Sequence, residues 1–349
     1  MIKNNNFTYP STRYSGSKRR FLDWIWENTK NLKFKSVLDV FGGTGSVSLL
    51  FKRQGKEVYY NDILKFNQII GTALVENKKE IITDEELKNA LSFNGGKYPD
   101  FIRRNFKGIF YYDSENEWLD KVIINFQRIK NKYKKAILLS ALFQACLAKR
   151  PFNLFHRANL YMRRRRVQRS FGNKTTWEHP FEYLLKRFVY EYNKCIFDNG
   201  KKNKMLGGYD ALICPNGVDL VYLDPPYFSA SNDKGTNYLE FYHFLEGLAN
   251  YNDWENQIGL SSSKINKFIV PFEIRRWISK NEIINTFKEL LLRFQNNIIV
   301  FSYQSDGFPS EEEIRTMLKK LRKKTKVYRK PHKYVLSSKM KDELLFIAE

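Results

Sequence analysis

The tetrapeptide Asp224-Pro225-Pro226-Tyr227 concentrates groups that could do chemistry. It follows an apolar run, 219–223, that reads as a buried strand. Proline has no N–H to give to a ladder. Two in succession stiffen the backbone just past a sheet edge and leave carbonyls that no neighbour need claim. In open α/β sheets, ligands bind outside the carboxyl ends of the strands. A carboxylate, a rigid free carbonyl and an aromatic ring are thus presented together. That set suits an exocyclic amino group. Asp224 and the Pro225 carbonyl each accept one of its two hydrogens, and Tyr227 stacks on the base that carries it.

A second run, Asp39-Val40-Phe41-Gly42-Gly43-Thr44-Gly45-Ser46, ends a strand and opens a helix. Glycines there let the backbone approach a ligand and adopt positive φ. Asp62 ends the next strand, where an acidic side chain accepts hydrogen bonds from ribose hydroxyls. Together they point to an adenosine-type cofactor. The dinucleotide fingerprint needs a third glycine three residues after the second. Here Gly43 and Gly45 are followed by Ser48, so a cofactor without a pyrophosphate is expected and a nucleotide-dependent oxidoreductase is disfavoured.

These groups need a scaffold. A strand at 36–40, the glycine turn at 41–46, a helix at 47–54 and a strand at 57–60 make the opening of a parallel α/β sheet. From about residue 67 to 207 the pattern turns helical, with apolar positions at helical spacing in 118–129, 134–148 and 181–197. Strand signals return at 219–223 and 297–302, and 327–334 and 343–348 offer further strands. The reading is one α/β core built from both ends of the chain, with a mostly helical, basic segment inserted as a domain of its own.

Composition narrows the partner. The 349 residues include 60 Lys and Arg against 37 Asp and Glu, a net charge of +23, and 42% are hydrophobic. A chain this basic attracts nucleic acid first and an anionic membrane surface second. The separated Cys146, Cys195 and Cys214 argue against a disulfide scaffold or thiolate zinc site. His156, His179, His243 and His332 form no metal-binding pair. The longest apolar stretch, 136–148, is broken by Ser140 and Gln144 and falls short of the about 20 residues that a membrane span needs. Residues 1–18 contain no apolar signal core. A soluble, cytoplasmic protein is expected.

With these motifs the chain resembles the Dam-type adenine-specific DNA methyltransferases. Tyr14-Ser15-Gly16-Ser17-Lys18 is similar to the family's N-terminal cofactor motif, and residues 39–46 to its Gly-rich motif. Asn61-Asp62-Ile63 is similar to its acidic motif, and residues 224–227 match its catalytic DPPY. Phe301-Ser302-Tyr303, with Gly307, Pro309 and Ser310, is similar to a late core strand and the turn after it. The motif order also matches, and the resemblance covers roughly 14–67 and 219–310. The chain departs from the family in having Tyr14 where tryptophan is frequent, and in a larger insertion.

The resemblance implies an α/β, Rossmann-like class I methyltransferase sheet with an inserted, mostly helical target-recognition domain. Residues 1–75 and 208–349 would form the core and 76–207 the insertion. It further implies S-adenosyl-L-methionine as cofactor and methylation of adenine N6 in double-stranded DNA after base flipping. A modification role beside a separate cognate restriction endonuclease follows, with no membrane and no obligate protein partner. By position, Tyr14 packs beside the cofactor and Lys18 lies near the cofactor or the catalytic motif. Asp39 approaches the methionine ammonium, Asp62 holds the ribose, and Asp224 contacts both the target amino group and the cofactor. The competing readings are N4-cytosine methylation, which usually has serine in place of Asp224, RNA adenine methylation, and a non-catalytic DNA-binding module on a methyltransferase scaffold.

The insertion is read as the part that meets DNA. Lys149, Arg150, Arg157, Arg163, Arg164, Arg165, Arg166, Arg169 and Lys174 bring cations into one stretch that attracts phosphates. Tyr161, Phe171 and Trp177 either stack on a displaced base or fill a core. The run Asn173-Lys174-Thr175-Thr176 offers base-edge contacts. His243 reads as structural or DNA-proximal, not catalytic.

Overall fold

Strands covered on both faces read as unbroken apolar runs, and two segments of this chain do so. Val37, Leu38, Leu220, Val221 and Leu223 have no exposed surface. The computed structural model describes residues 9–93, 95–165, 174–228, 235–258, 265–321, 323–333 and 340–349. Its strands are β1 (Ser36–Asp39), β2 (Glu57–Asn61), β3 (Lys204–Gly207), β4 (Leu220–Leu223), β5 (Ile298–Gln304), β6 (Thr325–Lys333) and β7 (Met340–Ala348). They form one sheet in the order β3-β2-β1-β4-β5-β7-β6. The first five are mutually parallel, and β7 runs antiparallel between β5 and β6.

From β1 the chain moves to β2 on one side and returns to β4 on the other. That reversal opens a crevice at the carboxyl ends of β1 and β4, where α/β sheets hold their ligands. Asp219 clamps the opposite end of the same joint. Its carboxylate accepts hydrogen bonds from the Lys35 and Ser36 N–H groups at 2.7 and 3.0 Å and from Ser36 Oγ at 3.1 Å. Those bonds hold its carboxyl below the usual range.

The helices that matter for the site are α1 (Leu22–Thr29), α2 (Ser46–Arg53), α3 (Lys65–Gly71), α4 (Asp113–Gln127), α5 (Lys132–Ala148), α6 (Phe181–Asn193), α7 (Tyr238–Ala249), α8 (Ile283–Arg293) and α9 (Glu311–Lys320). Apolar on every side, α5 is buried throughout its second half and more, from Ala136 to Ala148. Asn131 caps it, accepting from the N–H groups of Tyr133 and Lys134. The helix expected over 181–197 stops at Asn193, whose side chain turns back to exchange two hydrogen bonds with the Ile82 backbone.

The α4–α6 region does not build a core of its own. Its apolar residues are continuous with Phe66 and Ile70 of α3 and with Leu239, Phe244 and Leu245 of α7. The strand β3 was not expected: Lys204–Gly207 falls within the stretch read as helical, yet it pairs in parallel with β2. One exposed and three half-exposed residues at a sheet edge make too short a run for sequence to reveal. Among the described residues, no helix is long and apolar enough to cross a membrane.

Candidate active site

The glycine turn between β1 and α2 is shaped by one aromatic ring. A Cβ on Gly42 would lie 2.0 Å from the Tyr60 ring, and one on Gly71 would lie 2.4 Å from it. Tyr60 is thus held between two backbones. Its hydroxyl donates to the carbonyls of Gly43 and Asn67 at 2.7 and 2.9 Å. Gly45 takes φ +70° as the chain enters α2, a conformation that costs glycine little. Asp62 completes the turn. Its Oδ2 accepts from the Gly43 N–H at 2.9 Å and Asn67 Nδ2 at 3.1 Å, and Oδ1 accepts from the Leu64 N–H at 2.9 Å. Since each carboxylate oxygen can accept about two hydrogen bonds, Oδ1 has room for one more.

This turn forms one wall of a cleft of about 960 Å³, part of it open to solvent, at the switch between β1 and β4. Four carboxylates line it: Asp39 from β1, Asp62 after β2, Asp210 after β3 and Asp224 after β4. Burial disfavours the charged forms of Asp39, Asp62 and Asp224. It pushes Asp39 up to about 7 although Ser48 Oγ donates to it at 2.7 Å. Asp62 rises to about 6, with the Leu64, Gly43 and Asn67 hydrogen bonds pulling the other way. Asp39 Oδ1 is buried with no hydrogen-bond partner among the described residues. An acidic cleft inside a chain of net charge +23 is a place for a cationic ligand.

At the far end of the cleft the catalytic turn meets the N-terminal motif. Lys18 Nζ is 2.9 Å from Asp224 Oδ1 and 3.4 Å from Glu343 Oε1, and Lys18 and Glu343 are buried. The same ammonium sits 4.6 Å above the Tyr227 ring. Burial lowers the pKa of Lys18, but its two carboxylates outweigh that and hold it above its ordinary value. Burial raises Asp224 to about 6; Lys18 opposes the rise, and the charge of Glu343 adds to it. Two carboxylates share one cation, so the carboxylate is not fully neutralised. The Tyr227 hydroxyl donates to Glu343 Oε1 at 2.9 Å, and its ring meets Tyr303 edge-on at 5.4 Å.

Every site residue expected from sequence is thus gathered at the carboxyl edge of the sheet, though not all face the cleft. Tyr14, Lys18, Asp62, Asp224 and Pro226 line it; Pro225 and Tyr227 do not. Tyr14 stacks on Tyr242 at 4.5 Å and on Tyr238 at 5.5 Å, so α7 covers much of its ring. Gly16 permits this approach, because a Cβ there would lie 2.5 Å from the Tyr238 hydroxyl. Tyr238, Asp210 and Glu343 were not found by sequence reasoning. The first two line the cleft from α7 and from the turn after β3, and no recognised motif contains them.

The basic stretch of the insertion divides. Lys149, Arg150 and Arg163, read as phosphate-attracting, are buried. Glu115 pairs with Lys149 at 2.7 Å and with both guanidinium amines of Arg163 at 2.7 and 2.8 Å. Arg150 lies between the Phe110 and Phe155 rings and donates to the Leu154 and Arg157 carbonyls. These three cations brace the helices and are not available to DNA. Arg157, Arg164 and Arg165 are exposed, as is the Tyr161 ring. Trp177 fills the core. His243 is fully buried against the Phe155 carbonyl, a structural role. Arg166, Arg169, Phe171 and Asn173, and the side chains of Lys174 and Thr175, lie outside the described residues.

Comparison with known proteins agrees with this geometry. Residues 14–317 match the family model of the D12 class N6 adenine-specific DNA methyltransferases. The chain is 27% identical to the type II methyltransferase M2.HphI of Haemophilus parahaemolyticus over 99% of both chains. It is 24% identical to the type II methyltransferase M.NlaIII of Neisseria lactamica over 89% of this chain and 88% of the relative. Against the type II methyltransferase M.FokI of Planomicrobium okeanokoites it is 27% identical, and the match covers 92% of this chain but 49% of that protein.

Proposed function

Because the chain belongs to the D12 class of N6 adenine-specific DNA methyltransferases, we propose that it uses S-adenosyl-L-methionine to methylate adenine N6 in duplex DNA and serves as the modification enzyme beside a separate restriction endonuclease. The acidic cleft carries the cofactor assignment. That cofactor is cationic at its ammonium and its sulfonium, and the residues present fit both. The unpartnered Asp39 Oδ1 receives the ammonium, the open acceptor position on Asp62 Oδ1 receives a ribose hydroxyl, and Tyr14 closes the side of the cleft. When bound, the cofactor supplies an electrophilic methyl group.

The protein's own part is positioning and charge. Adenine N6 is a poor nucleophile because its lone pair is delocalised into the ring. Asp224 and the Pro225 carbonyl accept its two hydrogens, favour a pyramidal nitrogen and aim the lone pair in line at the methyl carbon. No covalent enzyme intermediate is needed. The target must leave the duplex, at a cost of a few kcal/mol. The partly exposed Tyr227 ring, tethered by its hydroxyl, offers a stacking surface that offsets part of that cost. Residues 76–207 act in target recognition, with Arg157, Arg164 and Arg165 on phosphates. Relatives named as type II methyltransferases support the modification role.

The direct test is to incubate the protein with methyl-labelled S-adenosyl-L-methionine and mixed-sequence unmethylated duplex DNA, then digest to nucleosides. N6-methyladenine is the expected product, and N4-methylcytosine alone would overturn the assignment. Asp62→Ala tests the cofactor side. Losing a hydrogen bond to a charged acceptor costs about 1.5–3 kcal/mol, so cofactor affinity measured by calorimetry should fall roughly 10- to 150-fold while DNA affinity holds.

A further inference from the structure

The ion pair of Lys18 and Asp224 is not closed on itself. Glu343 arrives from β7, in register with Gln304 of β5, and is 1% exposed. Its Oε1 faces Lys18 Nζ at 3.4 Å, accepts from the Tyr227 hydroxyl at 2.9 Å and accepts from Ser302 Oγ at 2.7 Å. Glu343 does not line the cleft, so no bound ligand accounts for it. A buried carboxylate carries a heavy desolvation cost, and the sheet would pack more easily around an apolar residue. We propose that Glu343 is a positioning residue for methyl transfer: it shares the Lys18 ammonium with Asp224 and fixes the Tyr227 ring, so that a net negative charge faces the target amino group.

One ammonium and two carboxylates leave the buried trio with a single negative charge. As N6 attacks, the N–CH3 bond forms while the S–CH3 bond breaks with its electron pair staying on sulfur. The positive charge passes to N6, which then loses a proton to Asp224. A trio with net negative charge favours that shift. Lys18 and Asp224 alone would be neutral.

The groups around Asp224 are Lys18 from the N-terminal motif, Glu343 from β7, Tyr227 from its own turn, Tyr222 from β4, Tyr238 from α7 and Asp39 from β1. Burial holds Tyr222 and Tyr238 above their ordinary value, so both stay protonated at neutral pH. Asp39 titrates close by, at about 7. A kinetic pH profile therefore needs a direct reading of Asp224 beside it.

The test is Glu343→Gln in the full chain, which keeps the volume and an acceptor for Tyr227 and Ser302 but removes the charge. In the ligand-free protein, the 13C titration midpoint of the Asp224 carboxyl, which burial and the Glu343 charge raise, should fall by about half a unit or more. The acid limb of kcat/KM should move to lower pH with it: activity needs ionised Asp224, so it is retained above the midpoint and lost below. At neutral pH kcat should drop about threefold or more, the worth of about half a pKa unit or more, with little change in KM for DNA or cofactor. Glu343→Asp keeps the charge at a longer reach and should give an intermediate midpoint. An Asp224 midpoint equal to wild type in the Gln variant, or in the Asp variant if the Gln variant does not fold, overturns the proposal. The inference rests on the Asp224 assignment made above. Turnover retained by Asp224→Ala would sink that assignment; an inactive Asp224→Ala with an unmoved midpoint in Glu343→Gln sinks this inference alone.

Discussion

Asp224→Ala is expected to reduce methyl transfer about 10³-fold, the scale on which preorganised electrostatic contacts act, while DNA and cofactor binding persist. The fold should survive. Without Asp224, Lys18 keeps Glu343 at 3.4 Å, so the buried ammonium is not left alone. Nor does the cofactor cleft depend on this one carboxylate, since Asp39 and Asp62 come from other strands. The loss should fall on kcat, because the contact to N6 strengthens as charge moves onto the nitrogen. Asp224→Asn keeps the shape and one acceptor oxygen but not the charge, and should lose less, about 10²-fold. Single-turnover methylation of pre-bound duplex, with anisotropy for DNA affinity, separates the two effects. Near-normal turnover in the alanine variant would remove Asp224 from the chemistry.

Gly42→Ala should act on the other half of the site and through packing. The new methyl would meet the Tyr60 ring at 2.0 Å. The ring cannot retreat, because Gly71 holds its opposite side closely enough that a Cβ there would stand at 2.4 Å. Its hydroxyl is also fixed by the carbonyls of Gly43 and Asn67. The turn must therefore move, and with it the Gly43 N–H that Asp62 holds. Overpacking of this kind costs about 3 kcal/mol, at the upper end of such insertions. A lowered Tm together with a cofactor affinity too weak to measure is the expected outcome. Wild-type cofactor affinity would show that the turn is softer than its packing implies.

The parts of the site legible in sequence are those whose chemistry lies in a few consecutive residues. The glycine turn from Gly42 to Gly45, Asp62 at a strand end, and the 224–227 tetrapeptide each carry their own backbone logic. The α/β class and most element positions followed from apolar runs and helical spacing. The three helices expected in the insertion appear as α4, α5 and α6. Tertiary assembly supplied what sequence did not reveal. Tyr238, Tyr242 and Glu343 reach the site only because α7 and β7 fold back on it, more than two hundred residues from Tyr14 and Lys18. The misreading of Lys149, Arg150 and Arg163 has a related cause. A run of cations looks the same in sequence whether it faces phosphate or a buried glutamate, and only Glu115 and the Phe110–Phe155 pair decide between them.

The placement of β7 between β5 and β6 also bears on synthesis. A nascent chain could build the cofactor turn, the β1–β4 joint and the catalytic turn while β5 still presents an unpaired edge, because the strand that covers that edge is translated after β6. Lys18 would then face Asp224 without Glu343. Pairing of β7 with β5 thus both closes that edge and brings Glu343 to Lys18, so the last strand of the sheet and the second carboxylate of the site arrive together.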